Sequence, residues 1–176
     1  MHKSQNPKPT PESEVPTQPV NLDNTALVTS ARIEEIVKTR CDVEVSVVTD
    51  EAVVIAKPDD VPALCYILKD DVVLDLNYLR CISVVDYEDR LEVVYHLFSL
   101  KNRHKVVVKA AVPLENPRIP SLTCLWKGAD WFEREGHDLF GVIFEGHPNL
   151  TPLLLYEGFE GYPGRKSFPF HEYDEW

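Results

Sequence analysis

Acidic and histidine side chains are concentrated in one short stretch of this chain, and their types could bind a metal ion. They are Glu133, Glu135, His137, Asp138, Glu145 and His147. A helix would place Glu133 and His137, four residues apart, on one face, which is half of a metal site. His147 could add a ligand if the chain turned back at Gly141. The pattern therefore allows a metal-dependent enzyme that uses Glu133, His137 and His147, although an ion-paired helix face that contacts a partner explains it more simply.

Other catalytic and cofactor patterns fit poorly. The run from Gly158 to Ser167 resembles a phosphate-binding loop, but five residues separate Gly158 from Gly164 where that loop has four. Pro163 also removes a backbone N–H that such a loop would use. The chain has no Gly-x-Ser-x-Gly or Gly-x-Gly-x-x-Gly sequence. We therefore expect no catalytic residues and no bound cofactor or metal in this chain.

Composition narrows the class of protein further. The net charge of −11 opposes binding to phosphate backbones, so we expect no nucleic-acid partner. The four cysteines, Cys41, Cys65, Cys81 and Cys124, form no Cys-x-x-Cys pair, which is typical of reduced thiols in a cytosolic protein. We find no apolar run near the roughly 20 residues that span a bilayer, and no apolar stretch in the first residues that would mark a signal peptide.

The order of elements predicts an α+β fold. We expect a disordered N-terminal arm over residues 1–24, because five prolines and few apolar residues occur there. Helical spacing begins near Thr25, followed by a hairpin over residues 43–56 and a helix that opens at Pro58. Three strands joined by short turns, over residues 78–86, 91–99 and 105–112, predict an antiparallel meander. The order α-β-β-α-β-β-β indicates a two-layer domain with a largely antiparallel sheet and helices on one face.

A closing helix is expected over about 121–139. Ser121 could cap its first turn, and Gly141 should end it. Asp130, Arg134 and Asp138 follow each other at intervals of four, so we expect ion pairs along one side. This helix would complete a domain over residues 25–141.

The last residues, 142–176, are expected to form an extended arm. This arm has too many Pro and Gly residues to form a helix, and too many apolar residues to remain fully exposed to water. Six of the final twenty residues are aromatic. Such a segment either folds back on its own domain or lies across another subunit, with aromatic rings in pockets and basic residues paired with carboxylates. We favour the second interpretation.

These residues also carry a family resemblance. The run Glu133-Arg-Glu-Gly-His-Asp-Leu-Phe-Gly141, together with Gly146-His-Pro148 and Gly161-Tyr-Pro163, resembles the 30-kDa subunit of respiratory NADH:quinone oxidoreductase, or complex I. The resemblance covers about residues 113–169. It departs from the usual pattern at four positions: Tyr156 replaces Pro, Gly164 replaces Leu, Ser167 replaces Asp and Phe168 replaces Tyr.

The resemblance implies a non-catalytic subunit of a proton-translocating enzyme that transfers electrons from NADH to quinone. The family sits in the peripheral arm on the cytoplasmic side of the cell membrane, attached through partner subunits. It contacts the large subunit that helps to form the quinone site, and neighbouring cluster-bearing subunits. The NADH, FMN, iron–sulfur clusters and quinone belong to the assembled complex. An equivalent subunit of a membrane-bound hydrogenase or ferredoxin-fed complex remains an alternative.

The expected site is therefore a subunit interface. Its candidate residues lie on the closing helix and on the arm, and they are Glu133, Arg134, Glu135, His137, Asp138, Phe140, Gly141, His147, Pro148, Glu157, Tyr162, Pro163, Arg165 and Lys166.

Overall fold

A computed structural model describes residues 24–37, 44–48 and 51–169 of the chain. The predicted N-terminal arm lies outside the described residues except for Asn24, which begins the first helix. The last aromatics of the C-terminal arm, over residues 170–176, lie outside them as well.

The fold is built on a five-stranded sheet of β1 (Glu44–Val48), β2 (Glu51–Ile55), β3 (Tyr78–Asp86), β4 (Arg90–Phe98) and β5 (Lys105–Pro113). The strand order is β1-β2-β5-β4-β3. Pairing is antiparallel except between β2 and β5, which run parallel. The predicted hairpin and the predicted meander are thus both present, and the α+β class with a largely antiparallel sheet is confirmed.

Three helices, α1 (Asn24–Val37), α2 (Val61–Asp70) and α3 (Ala129–Phe140), pack against one face of this sheet. Two short parallel strands, β6 (Arg118–Pro120) and β7 (Ile143–Glu145), flank α3. In the described part of the chain, no helix is both long enough and apolar enough to cross a bilayer.

The core lies between the helices and the sheet because alternate strand residues point to opposite faces. On β5, Val106 and Val108 face the helices and join the main core, whereas Val107 faces the other way. There Val107 forms a small separate cluster with Val53 and Val94. The second face of the sheet is therefore not covered by any element among the described residues.

The closing helix begins at Ala129 rather than near Ser121. The expected apolar residues Leu122 and Trp126 are buried, but tight turns carry them. The amide of Leu125 donates to the carbonyl of Leu122, and that of Ala129 donates to the carbonyl of Trp126. Apolar spacing predicts burial correctly here, but it does not distinguish consecutive turns from a helix.

The chain stays in the domain beyond the end of α3. The sequence predicts that the arm begins at residue 142, yet Val142 and Phe144 are buried in the main core. β7 pairs with β6 at this point. The described segment without helix or strand accordingly starts after β7.

Candidate functional site

Helix α3 has two different faces. Ala129, Glu133 and Gly136 are buried against the sheet, and Trp131 and Glu135 are exposed on the opposite side. A Cβ on Gly136 would lie 3.0 Å from the Val84 side chain, so the close packing of α3 on β3 suits glycine. The buried face explains why this helix tolerates a glycine in its interior.

Glu133 is a buried carboxylate that holds the turn before α3. It is 0% exposed, and it accepts hydrogen bonds from the Ser121 hydroxyl at 2.6 Å and the Leu122 amide at 2.7 Å. Burial raises its pKa to about 7, although these two donors act in the opposite direction. Ser121 is thus a partner of α3 and not its cap.

Arg134 and Asp138 attach the segment after β7 to the outer side of α3. The guanidinium of Arg134 donates to the carbonyls of Thr151 and Pro152, at 3.0 and 2.8 Å. One oxygen of Asp138 accepts the backbone amides of Leu153, Leu154 and Leu155, at 3.1, 2.8 and 2.8 Å. These contacts replace the ion pairs that the sequence predicts for this side of the helix.

The charge of Asp138 is well stabilised in this position. Burial acts to raise the pKa of its carboxyl, but the three amides outweigh burial and hold that pKa below its usual range. Asp138 is therefore ionised at neutral pH and acts as a fixed anchor for the backbone of residues 153–155.

The two histidines of the predicted cluster are tied to separate parts of the backbone. Nδ1 of His137 lies 2.9 Å from the Val142 carbonyl. The amide of Asn149 donates to Nδ1 of His147, at 3.0 Å. Nε2 of His147 lies 3.1 Å from the carboxylate of Asp130, in the first turn of α3.

The arm also contacts the C-terminal end of α3. Gly141 ends the helix with φ of +75°, and a Cβ there would lie 2.5 Å from the Tyr162 ring. Gly164 packs as closely against the Phe140 ring, where a Cβ would lie 2.7 Å away. Leucine, which the resemblance gives as usual at position 164, would not fit this arrangement. The two glycines let the arm approach the helix end.

Two basic residues secure the same stretch. Arg165 donates to the Phe140 carbonyl at 2.7 Å, and its guanidinium lies over the Tyr162 ring at 4.7 Å from the centroid. The backbone amide of Lys166 donates to Asp86 at 2.9 Å, and its ammonium pairs with Glu88 at 3.2 Å. The described part of the arm thus folds back on its own domain, as the alternative to partner binding predicts.

The arm nevertheless leaves apolar groups in water. Trp131 of α3 is 66% exposed, Leu154 is 61% exposed and Tyr156 is 72% exposed. Of the remaining predicted interface residues, Pro148 and Glu157 are exposed and Pro163 is half-buried. Trp131 and Leu154 are absent from the predicted set. The amphipathic spacing of α3 could have indicated Trp131, because position 131 falls opposite the buried Glu133 face.

Glu133, His137 and His147, which the sequence offers as an alternative metal site, do not come together. Glu133 faces Ser121 and Leu122, whereas His137 and His147 contact different loops. Within residues 24–37, 44–48 and 51–169, no group of three or more His, Cys, Asp or Glu side chains could hold a metal ion. The arrangement of these polar groups serves to fix backbone segments to α3.

Comparison with known families gives a match over most of the chain. The model of the family described as respiratory-chain NADH dehydrogenase, 30 Kd subunit, matches residues 54–174. This range includes β3 to β5, α2 and α3, and most of the arm.

Individual relatives agree with this match. The chain is 41% identical over 121 residues to the C subunit, number 2, of the NADH-quinone oxidoreductase of Rhizobium meliloti (strain 1021), covering 67% of this chain and 66% of that protein. It is 45% identical over 119 residues to the C subunit of the NADH-quinone oxidoreductase of Roseiflexus sp. (strain RS-1), covering 66% of this chain and 68% of that protein. The aligned part thus spans about two thirds of each relative.

Two solved structures share the fold. A chain of the membrane-bound sulfane sulfur reductase, an archaeal respiratory membrane complex, has a TM-score of 0.70 at 26% identity, covering 81% of this chain and 86% of its own length. The trypsin-resistant fragment of Nqo5 has a TM-score of 0.55 at 29% identity, covering 69% of this chain and 98% of the fragment.

Proposed function

The chain belongs to the family of the 30-kDa subunit of respiratory-chain NADH dehydrogenase, and on that premise we propose that it is a non-catalytic structural subunit of a proton-translocating NADH:quinone oxidoreductase. It would support the quinone-site subunit while electrons pass to quinone. The family match over residues 54–174 is the observation that carries this proposal.

The contacts of the charged residues support a structural role. Glu133, Arg134 and Asp138 all bind backbone groups of the same chain, and the first and last of these are buried. A general acid or base needs access to a substrate proton, and the buried carboxyl groups of Glu133 and Asp138 lack it. We propose that they build a rigid surface of α3 and the arm, and that this surface is the subunit interface.

The partners follow from the same premise. We place the chain against the large quinone-site subunit and the cluster-bearing subunits of the peripheral arm, on the cytoplasmic side of the cell membrane. FMN, the iron–sulfur clusters and the NADH and quinone sites would then lie in those other subunits. This chain would be attached to the membrane only through them.

Truncation after Leu155 tests this role. We expect the truncated chain to retain its circular dichroism spectrum but to be lost from the complex when a tagged copy is recovered from detergent-solubilised membranes. Recovery is measured by NADH:quinone activity and by mass spectrometry of the accompanying subunits. A deletion of residues 2–20, which lie outside the family match, is the control and should keep full recovery. Equal recovery of both variants would contradict the role of the arm.

A second candidate function is the equivalent subunit of a related membrane complex. The observation that favours it is the TM-score of 0.70 to a chain of the archaeal sulfane sulfur reductase, over 81% of this chain. The two candidates differ in their electron donor. If the complex recovered with this chain fails to oxidise NADH, the second candidate replaces the first.

A further inference from the structure

We propose that Trp131, Leu154 and Tyr156 are the apolar anchors of the contact with the neighbouring subunit, and that the neighbour receives them in pockets edged by Arg or Lys side chains. This inference rests on the proposed function, because it concerns the same surface of α3 and the arm. It assigns the binding energy to these three residues and not to the charged residues Glu133, Arg134 and Asp138.

Solvent exposure distinguishes the three anchors from the buried charged residues of α3. Each of them is more than 60% exposed, whereas Glu133 and Asp138 are buried within the chain. Tryptophan and tyrosine are the side chains that most often carry the energy of protein–protein contacts, since they remove a large apolar area from water. Glu133 and Asp138 already bind groups of their own chain, so they can contribute few further hydrogen bonds to a partner.

Trp131 and Leu154 lie along one side of α3. Trp131, Arg134 and Asp138 are spaced three and four residues apart, so they share a helix face. Arg134 holds the carbonyls of residues 151 and 152, and Asp138 holds the amides of residues 153–155. The backbone that carries Leu154 therefore follows the same face that exposes Trp131.

The anchors are also presented on a fixed backbone. Three amides share one Asp138 oxygen, and the Tyr156 ring packs edge-on against Phe159, with centroids 5.4 Å apart. The Phe159 ring in turn stacks on Phe168 at 6.0 Å. A segment that is ordered before binding loses less conformational entropy on association, which favours a tight contact.

Charge identifies the chemistry of the partner. Glu135 is exposed one helical turn after Trp131, and Glu157 and Glu160 are exposed in the segment that follows Tyr156. Two bases are also present: Lys127 is exposed four residues before Trp131, and Arg134 binds backbone carbonyls but keeps its charge. Acidic side chains thus outnumber basic ones in the segments that carry the anchors, and a partner with basic residues around apolar pockets is complementary to them.

The test compares matched aromatic substitutions in the full-length chain. We expect Trp131→Ala and Tyr156→Ala each to weaken binding to the solubilised NADH:quinone oxidoreductase at least tenfold, measured as recovery of a tagged chain over a concentration series. Tyr66→Ala removes a tyrosine of α2 that is 57% exposed and should bind like the wild-type chain. Thermal unfolding of each isolated variant shows whether the fold is retained, and Trp131→Gln replaces Trp131→Ala if the latter unfolds.

Charge reversal tests the basic pocket edges. Glu135→Lys should weaken binding, and raising the salt concentration should reduce the difference from wild type. Unchanged or tighter binding of Glu135→Lys would overturn the basic edge. Wild-type binding by folded Trp131 and Tyr156 variants would overturn the anchors while leaving the proposed function intact. Failure of the wild-type chain itself to bind the complex would instead overturn the proposed function.

Discussion

Glu133 shows how a single buried carboxylate can link stability to pH. It is fully buried without a basic partner among the residues described, and burial raises its pKa from 4.5 to about 7. A group with a raised pKa in the folded state favours folding below its unfolded value and loses that contribution as pH rises through the folded value. The free energy of unfolding should therefore fall between pH 4.5 and 7.

Substitution by glutamine isolates this effect. Glu133→Gln can keep a hydrogen bond to the Leu122 amide but cannot ionise, so its free energy of unfolding should change less over this pH range. The difference from wild type should change by on the order of 3 kcal/mol across the window. Urea denaturation at several pH values measures it. Parallel pH curves for the two proteins would show that Glu133 does not titrate in this range.

At the scale of elements, the arm depends on α3 for its path. Asp138 accepts three consecutive amides, and without this carboxylate they would lose their acceptor. We expect Asp138→Ala to lower the free energy of unfolding by about 1–3 kcal/mol. Hydrogen exchange at residues 153–155 should become faster, while β3 to β5 keep their protection.

Glu135→Ala provides the matched control for this prediction, because Glu135 is an exposed acid on the same helix. It should leave both exchange and stability near wild type. Unchanged exchange at residues 153–155 in Asp138→Ala would show that other contacts hold this segment.

Sequence patterns predict an element well when the interactions that form it are local in the chain. The strand predicted over Tyr78–Asp86 matches β3, because alternation and the polar turn after it are local signals. The start of α3 depends on Glu133, which holds the amide of Leu122, eleven residues away. The partners of Asp138 lie fifteen to seventeen residues further along the chain. Such contacts have no periodicity, so the sequence draws attention to Glu133 and Asp138 but cannot show which backbone groups they bind.

At the scale of the whole molecule, the sheet has one covered and one open face. Among the described residues, all three helices join the main core on one side, and the buried residues on the other form the small cluster of Val53, Val94 and Val107. The run Val106-Val-Val108 looks uniformly apolar in the sequence, so it cannot show which valine faces the helices. The fold places Val108 at 0% exposure within the main core and Val107 at 5% in the smaller cluster.

Lysine at each of these neighbouring positions tests this asymmetry. Val108→Lys buries a charge under the helices and should prevent folding or cost more than about 4 kcal/mol. Val107→Lys can extend its ammonium into water from the open face, so it should cost about 1–2 kcal/mol. Urea denaturation of both variants measures the difference. Equal losses would mean that the second face is covered in the isolated chain, and the two-layer architecture would then need a third layer.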